Sequence, residues 1–192
     1  MRGCGTFYLM DIEAVVQDIA DVLKRIDSSR LPFKKFQPGV GPYGEPQLVK
    51  LVAAGLNNIE QYAGCVKTMR TPDLLIEKHW ALEIKLARPF GDNGKSAENW
   101  SVNLLHPYSG NTSLLSDCLK LQGSTRSEQK GVIAIGYEHD PAQVSLEPLW
   151  KAFEIVAAGV LNIQLGPRAE AHRDSLIHPV HQRLVVLGWK IS

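Results

Sequence analysis

The stretch from 71 to 86 constrains the fold of this chain more than any other part of its sequence. Its composition predicts two short strands joined by a tight turn, and in the second strand apolar and charged residues alternate. Because a strand has a period of two, the aliphatic residues of 82–86 lie on one face, while Glu83 and Lys85 lie on the other. The sequence therefore predicts a β-hairpin that points a carboxylate and an ammonium group in the same direction, roughly 7 Å apart along the strand.

Asp73 opens the first of these two strands and can bring a second carboxylate to the same point. Two carboxylates beside a lysine suit magnesium-assisted cleavage of a phosphodiester, because Mg²⁺ is usually held by one or two carboxylates and by substrate phosphate oxygens. In that interpretation Asp73 and Glu83 ligate the metal, and Lys85 orients the attacking hydroxide or contacts the phosphate. The alternative is an edge hairpin whose charged residues form an ordinary solvated face.

The residues Pro72-Asp73 and Glu83-Ile84-Lys85, with nine residues between the two acids, resemble the motif of the PD-(D/E)XK nuclease superfamily. That resemblance implies a restriction-endonuclease-like core with the element order αβββαβ. The order consists of a helix, a strand, the hairpin that carries the motif, a second helix and a further strand. The sequence offers a candidate for each of these elements in turn, so we expect an α/β fold with a central mixed β-sheet flanked by helices.

The resemblance also implies an activity, a cofactor and a partner. We expect a nuclease that hydrolyses DNA with Mg²⁺ or Mn²⁺, an endonuclease of the restriction or repair type. Double-strand cleavage needs two sites, which a homodimer would supply. Two alternatives stay open, namely a ribonuclease and a catalytically silent nucleic-acid-binding or assembly subunit with the same fold.

Further site residues follow from the resemblance. Many members of the superfamily carry an extra glutamate on the helix before the hairpin, and Glu45 is the best match, with Glu60 and Glu13 as weaker alternatives. Glu45 would be a metal ligand, or it would only cap its helix. Relatives often place polar residues on the helix after the hairpin, so Lys120 and Gln122 are candidate phosphate contacts, or else part of a solvated helix face.

The charge of the chain gives mixed support to a nucleic-acid partner. The formal net charge is only +1, which is low for a protein that holds a polyanion. Basic residues nevertheless cluster in two places, and Arg88 and Lys95 of the second group are candidate nucleic-acid contacts. The two groups are Arg30, Lys34 and Lys35, and Lys67, Arg70, Lys85, Arg88 and Lys95.

Length and composition predict one globular domain spanning 1–192, with 44% hydrophobic and 21% charged residues. The three cysteines, Cys4, Cys65 and Cys118, have no C-x-x-C spacing, which argues against a thiolate zinc site or a disulfide framework. A reducing cytoplasm is the expected compartment. No apolar run reaches the length that spans a membrane, so we expect no membrane partner.

Hydrophobic periodicity and the positions of glycine and proline predict the remaining elements. The predicted helices are an N-terminal one at 9–27, one after Pro46, one at 112–123 capped by Asn111 or Thr112, and one at 146–160. The predicted strands outside the hairpin are 59–69, 131–137 and 184–191, and the predicted loops are 31–46 and 88–111. The segment 146–191 then forms a C-terminal helix–strand extension of the core.

Two groups of loop residues have alternative interpretations. Aromatic and amide groups of the second loop either contact nucleic acid or pin the loop to the core. These residues are Trp100, His106, Tyr108 and Asn111. The histidines His172, His178 and His181 are predicted to lie in a surface loop, because no carboxylate or cysteine stands at a spacing typical of zinc sites and Pro179 interrupts any helix.

Overall fold

A computed structural model describes residues 10–30, 32–34, 37–107 and 112–192, without the side chains of 32–34 and 37. The helices are α1 (Ile12–Ser28), α2 (Glu45–Asn57), α3 (Val102–Leu105), α4 (Leu114–Gln122) and α5 (Glu147–Gly159). The strands are β1 (Pro32–Lys34), β2 (Gln37–Pro38), β3 (Val66–Thr68), β4 (Leu74–Ile76), β5 (Trp80–Ala87), β6 (Gln129–Glu138), β7 (Ala169–Arg173) and β8 (Arg183–Ile191). A single 3₁₀ turn, Glu60–Tyr62, precedes β3.

Six of these strands form one mixed sheet in the order β3-β4-β5-β6-β8-β7. β5 and β6 run parallel, which requires a crossover connection, and α3 and α4 lie in that connection. The other four strand pairs of the sheet are antiparallel, and β1 and β2 form a separate antiparallel pair. The predicted α/β class, with a central mixed sheet flanked by helices, is confirmed.

Each face of the sheet is covered by its own hydrophobic cluster. The aliphatic residues Leu82, Ile84 and Leu86 of β5 pack with residues of α1 and α2. On the opposite face, Ala81 and Ala87 pack with residues of α4 and α5. This partition confirms the period of two predicted for the second hairpin strand. Burying an aliphatic side chain of this size contributes about 1.5–3 kcal/mol, so the two faces also fix the register of β5.

Some element boundaries differ from the sequence predictions for local reasons. The first helix begins at Ile12 rather than at 9, because the Asp11 carboxylate caps it by accepting the Glu13 N–H at 3.3 Å. The helix predicted from 112 is capped by Ser113, whose hydroxyl accepts the Ser116 N–H at 3.1 Å, and not by Thr112. Asn111, the other predicted cap, lies outside the described residues, as do Tyr108 and Lys35.

The predicted long strand at 59–69 is wrong in extent. Only Val66–Thr68 is a strand, and the 3₁₀ turn precedes it. Three elements were not predicted at all, namely the β1–β2 pair in the loop that is rich in glycine and proline, the helix α3 within the predicted loop 88–111, and the edge strand Ala169–Arg173. That edge strand is polar and short, so its alternation gives a weak signal, and its pairing with β8 comes from the tertiary fold.

The prediction that the three C-terminal histidines lie in a surface loop is wrong. His178 and His181 are buried and their rings stack with centroids 4.7 Å apart, while His172 lies on β7. The Nδ1 atom of His178 accepts the N–H groups of Val180 and His181, both at 3.2 Å. These bonds satisfy the backbone of a tight turn, which explains why the rings are directed into the protein.

No helix within the described ranges has both the length and the apolar character that a membrane-spanning segment requires.

Candidate functional site

The site begins where β5 continues past the end of β4. β4 pairs with β5 as far as Leu82. Farther along this edge, the N–H of Ile84 donates to Asp73 Oδ2 at 2.9 Å, and the N–H of Leu86 donates to Glu45 Oε2 at 3.3 Å. Alternate amides of a strand point to the same side, so two carboxylates occupy the place that a continued β4 would take. The local backbone therefore determines where Asp73 and Glu45 lie.

Glu83 and Lys85 lie inside the protein and not on a solvated hairpin face. Their exposed fractions are 4% and 6%, and β5 is an interior strand of the sheet with β4 on one side and β6 on the other. The alternative of a surface edge hairpin is therefore wrong. Charged residues are almost never this buried unless they are paired, so their partners determine what the site can do.

Lys85 is held by two carboxylates from two different helices. Its Nζ lies 3.1 Å from Glu45 Oε1, at the start of α2, and 3.0 Å from Asp117 Oδ2, on α4. It also donates to the carbonyl oxygen of Ile84 at 3.3 Å, so two hydrogen bonds and an ion pair with Asp117 hold the ammonium group. Burial alone would lower the pKa of Lys85, but the charges of Glu45 and Asp117 outweigh it and raise that pKa above its ordinary value. The lysine therefore stays charged.

Glu83 is the acid of the site that keeps its proton. Burial raises the pKa of Glu83 to about 8, and the hydrogen bond to Asp73 and the charges of Asp73 and Asp117 act in the same direction. The nearby Lys85 opposes this shift only in part. At neutral pH, Asp73 and a protonated Glu83 form a hydrogen-bonded pair of carboxyl groups, a state that follows from crowding like charges in a poorly solvated place.

Asp117 is a site residue that the sequence interpretation missed. It is 1% exposed, and its Oδ1 accepts the Lys120 ammonium at 2.6 Å while Oδ2 faces Lys85. The available signal was its position, because Leu114, Cys118 and Leu121 mark the apolar face of α4 and Asp117 lies on that same buried face. An acid on the apolar face of a helix needs a buried cation as its partner.

Two clefts meet at Glu45. The first, which we call the aromatic cleft, has a volume of about 490 Å³ and is lined by Glu45, Leu86, Arg88, Phe90, Gly91, Asp92, Ala97, Glu98, Trp100 and Asn103. The second, which we call the basic cleft, has a volume of about 340 Å³ and is lined by Glu45, Pro46, Val49, Lys50, Thr68, Met69, Arg70 and Asp73. Two of the predicted site acids therefore lie on cleft walls, directly beside the buried pair of Glu83 and Lys85.

The other predicted contacts are placed unevenly around the site. Arg88 lines the aromatic cleft, but its Nη1 already donates to the carbonyl oxygen of Gly41 at 2.8 Å. Lys95 is exposed on the turn after β5, where its carbonyl oxygen accepts the N–H of Gly91 at 2.8 Å. Lys120 contacts the site through Asp117 and is itself 46% exposed at its side chain.

Gln122 is not brought to the site. Its Nε2 lies 3.4 Å from the carbonyl oxygen of Ser192. The neighbouring Ile191 pairs with Lys130 near the start of β6, whereas Lys85 lies opposite Ala134 farther along that strand. Among the acids considered as an extra ligand, Glu45 contacts Lys85, while Glu13 and Glu60 are exposed residues.

Within the described part of the chain, no three His, Cys, Asp or Glu side chains already form a group that could hold a metal ion. The chain matches no family model, no curated protein and no solved structure. The chemistry of the site therefore follows from its own groups: a hydrogen-bonded pair of carboxyl groups, a charged lysine with two carboxylate partners, and two adjoining clefts.

Proposed function

We propose that this chain is a divalent-metal-dependent nuclease that hydrolyses phosphodiester bonds in DNA, and that it belongs to the PD-(D/E)XK superfamily. The observation that carries the proposal is the convergence of Asp73, Glu83 and Lys85 at one buried point beside two clefts. A purely structural role for the hairpin would not require burying a carboxyl pair and a lysine together, since such groups are costly to remove from water.

The order of elements supports the same assignment. The run α2, β3, β4, β5, α4, β6 has the αβββαβ order expected of a restriction-endonuclease-like core, with Asp73 just before β4 and Glu83 and Lys85 on β5. β6 lies parallel to β5 and beside it. The remaining strands, β8 and β7, extend the sheet beyond that core.

The chemistry of the donor groups fits Mg²⁺ or Mn²⁺. Asp73 and Glu83 would hold the ion, since Mg²⁺ needs only one or two carboxylates besides substrate oxygens, and Glu45 is placed to assist them. Burial is the main cause of the raised pKa of Glu83, and the charges of Asp73 and Asp117 add to it; a divalent cation would offset that added negative charge. When bound, the ion would lower the pKa of a water molecule and neutralise charge on the phosphate.

The groups of the chain itself have distinct tasks. The Ile84 N–H fixes the orientation of Asp73, and Glu83 has to release its proton before it can act as a ligand. Lys85 is too well paired to serve as a general base near neutral pH, because its raised pKa keeps it protonated. Its task in this proposal is to orient the attacking hydroxide and to stabilise negative charge on the phosphate.

The proposal extends to partners and compartment. DNA is the proposed substrate, and a homodimer would supply the second site that double-strand cleavage needs. The cytoplasm is the proposed compartment, since the spacing of the cysteines in the sequence does not suggest a disulfide framework. A silent nucleic-acid-binding subunit is the competing function, and the net charge of only +1 is the observation that favours it.

The test is incubation of the pure protein with supercoiled plasmid, linear duplex, single-stranded DNA and RNA, with Mg²⁺ or with a chelator. We expect metal-dependent cleavage of DNA, and a loss of about 100-fold or more in Asp73→Asn and Lys85→Met. The matched control is Glu77→Gln on the same hairpin, because Glu77 is paired with the exposed Lys67 at the surface. That variant should cut at the unaltered rate.

Three outcomes would overturn this assignment. Cleavage that survives in both site variants would place the activity elsewhere. Metal-dependent binding without cleavage would identify a silent subunit. Cleavage of RNA with DNA left intact would identify a ribonuclease.

A further inference from the structure

The two clefts beside the site differ in charge. The basic cleft contains Lys50 and Arg70, which offset its two acids, Glu45 and Asp73. The aromatic cleft contains three acids and one base, so its wall is net negative. A nucleic-acid strand that crosses the site from one cleft to the other therefore meets two different environments, and the net-negative wall of the aromatic cleft repels phosphates more than the balanced wall of the basic cleft does.

The single cation of the aromatic cleft is already engaged. Arg88 donates to the carbonyl oxygen of Gly41 at 2.8 Å and lies 3.7 Å from the Asp92 carboxylate. Binding a phosphate through Arg88 would require it to give up these contacts and would bring the phosphate beside the Asp92 carboxylate. Charge therefore argues against a phosphate as the ligand of this cleft.

The remaining groups of the aromatic cleft suit a flat, uncharged ring with hydrogen-bond donors. Trp100 is half-buried and packs against the cluster formed by α4 and α5, so it presents an aromatic surface that is already held in place. Glu98 and Asn103 are exposed on the same wall and can accept hydrogen bonds from ring amino and imino groups. A volume of about 490 Å³ lies within the range of small-molecule sites.

We propose that the aromatic cleft binds one unstacked nucleobase of the substrate strand, next to the proposed cleavage site, while the basic cleft holds backbone phosphates. The inference rests on the proposed function and deepens it by naming the substrate class as single-stranded or locally unpaired DNA. Trp100 provides the stacking platform, and Glu98 and Asn103 favour bases that carry an exocyclic amino group. A base inside an intact duplex cannot reach such a pocket without leaving its stack.

The test measures binding of a labelled single-stranded oligonucleotide by fluorescence anisotropy, in the Asp73→Asn background with Mg²⁺. Base stacking on an aromatic side chain is worth about 1–3 kcal/mol, so Trp100→Ala should weaken binding by about 5- to 150-fold. Trp100→Phe keeps an aromatic ring and should retain most of the affinity. Val102→Ala, an exposed apolar neighbour outside the cleft, is the matched control and should bind unchanged.

Two further measurements separate a base from a phosphate. An oligonucleotide with an abasic site at the recognised position should bind the Trp100→Ala protein as tightly as the unaltered one. Lys50→Met should weaken binding of both oligonucleotides and reduce the salt dependence. Intrinsic fluorescence gives an independent readout, because Trp80, Trp150 and Trp189 are at most 2% exposed and quenching by the strand should therefore be lost with Trp100.

Equal affinity of the unaltered and Trp100→Ala proteins for the intact oligonucleotide would overturn the inference, as would equal affinity for an intact duplex and for single strands. These results are distinguishable from failure of the nuclease proposal. Binding that depends on Trp100, with no cleavage by the unaltered chain, would remove the nuclease activity and retain the base site.

Discussion

Lys85 illustrates how a single side chain depends on groups that are distant in the sequence. Its position on β5 follows from strand alternation, but its charge state is set by Glu45 on α2 and Asp117 on α4. The first of these acids was predicted through a resemblance and the second was missed. Burial determines which acid on a helix matters, and a sequence pattern shows burial only indirectly, through the apolar neighbours of that acid.

At this scale we predict that Asp117 is a positioning residue for Lys85. In Asp117→Asn the lysine keeps one carboxylate partner, so its pKa should fall toward the ordinary value, and nuclease activity should fall by about 10- to 100-fold. The decisive measurement is the pH profile of kcat/KM, whose alkaline limb should move to lower pH. A merely structural loss would lower the profile without moving it.

The control for this prediction is Lys120→Met. It removes the other partner of Asp117, which is 46% exposed at its side chain, and leaves the Lys85 contact in place. Because the Lys120 ammonium is partly exposed and Asp117 keeps Lys85 as its partner, the pH profile should remain close to that of the unaltered protein. A profile that shifts in Lys120→Met but not in Asp117→Asn would contradict the assigned role.

Among the elements, the hairpin was the most predictable and its surroundings were the least. Alternation determined which β5 residues face each hydrophobic cluster. It could not indicate that β4 begins only at Leu74, which leaves the Ile84 and Leu86 amides to Asp73 and Glu45. Strand length depends on pairing partners that the local sequence does not specify. The histidines near 180 were misjudged for a similar reason, since polar residues in a loop appear exposed until the backbone they satisfy is known.

At the scale of elements we predict that Gly188 sets the distance between α1 and the sheet. A Cβ at this position would lie 2.5 Å from Cγ2 of Val16 on α1 and 3.0 Å from Cδ1 of Ile133 on β6. Gly188→Ala should therefore destabilise the protein by about 1–3 kcal/mol, because the overpacked helix has to shift. The matched control is Gly159→Ala, where a Cβ meets no atom within 4 Å.

Chemical denaturation with urea measures both glycine variants. The midpoint for Gly188→Ala should fall, while Gly159→Ala should unfold at an unchanged or slightly higher urea concentration. If both variants unfold like the unaltered protein, α1 does not pack on β8 as closely as the structure indicates.

For the whole molecule, the histidines in the turn before β8 and Glu83 on β5 should give stability opposite dependences on pH. His181 Nε2 donates to the carbonyl oxygen of Phe90 at 3.0 Å, and burial lowers the pKa of His181 to about 4 and also lowers the pKa of His178. Between pH 4 and pH 6.5, the ordinary pKa of a histidine, His181 thus binds fewer protons in the folded state than in the unfolded state. Stability from the histidines is complete above 6.5 and is lost as the pH falls toward 4.

Glu83 acts with the opposite sign. Its folded pKa of about 8 exceeds its ordinary value of 4.5, so the folded state holds an extra proton between these two values. This contribution to the free energy of unfolding is complete below 4.5 and is lost as the pH rises toward 8. Between pH 4.5 and pH 6.5, the histidines increase the free energy of unfolding as the pH rises, while Glu83 decreases it. Of these two effects, only the decrease caused by Glu83 continues above pH 6.5.

We therefore predict that the melting temperature of the metal-free protein peaks near pH 6.5, the ordinary histidine pKa. Glu83→Gln should flatten the alkaline side of that peak, and His181→Gln should flatten the acid side, although removing a buried ring lowers the whole curve. The exposed residues Glu77 and His172, each replaced by Gln, are the controls and should leave the peak unchanged. Mg²⁺ should raise the melting temperature most above pH 8, where Glu83 is already ionised. A curve for Glu83→Gln that runs parallel to that of the unaltered protein would show that Glu83 is ionised throughout, and it would remove the protonated carboxyl pair from the account of the site.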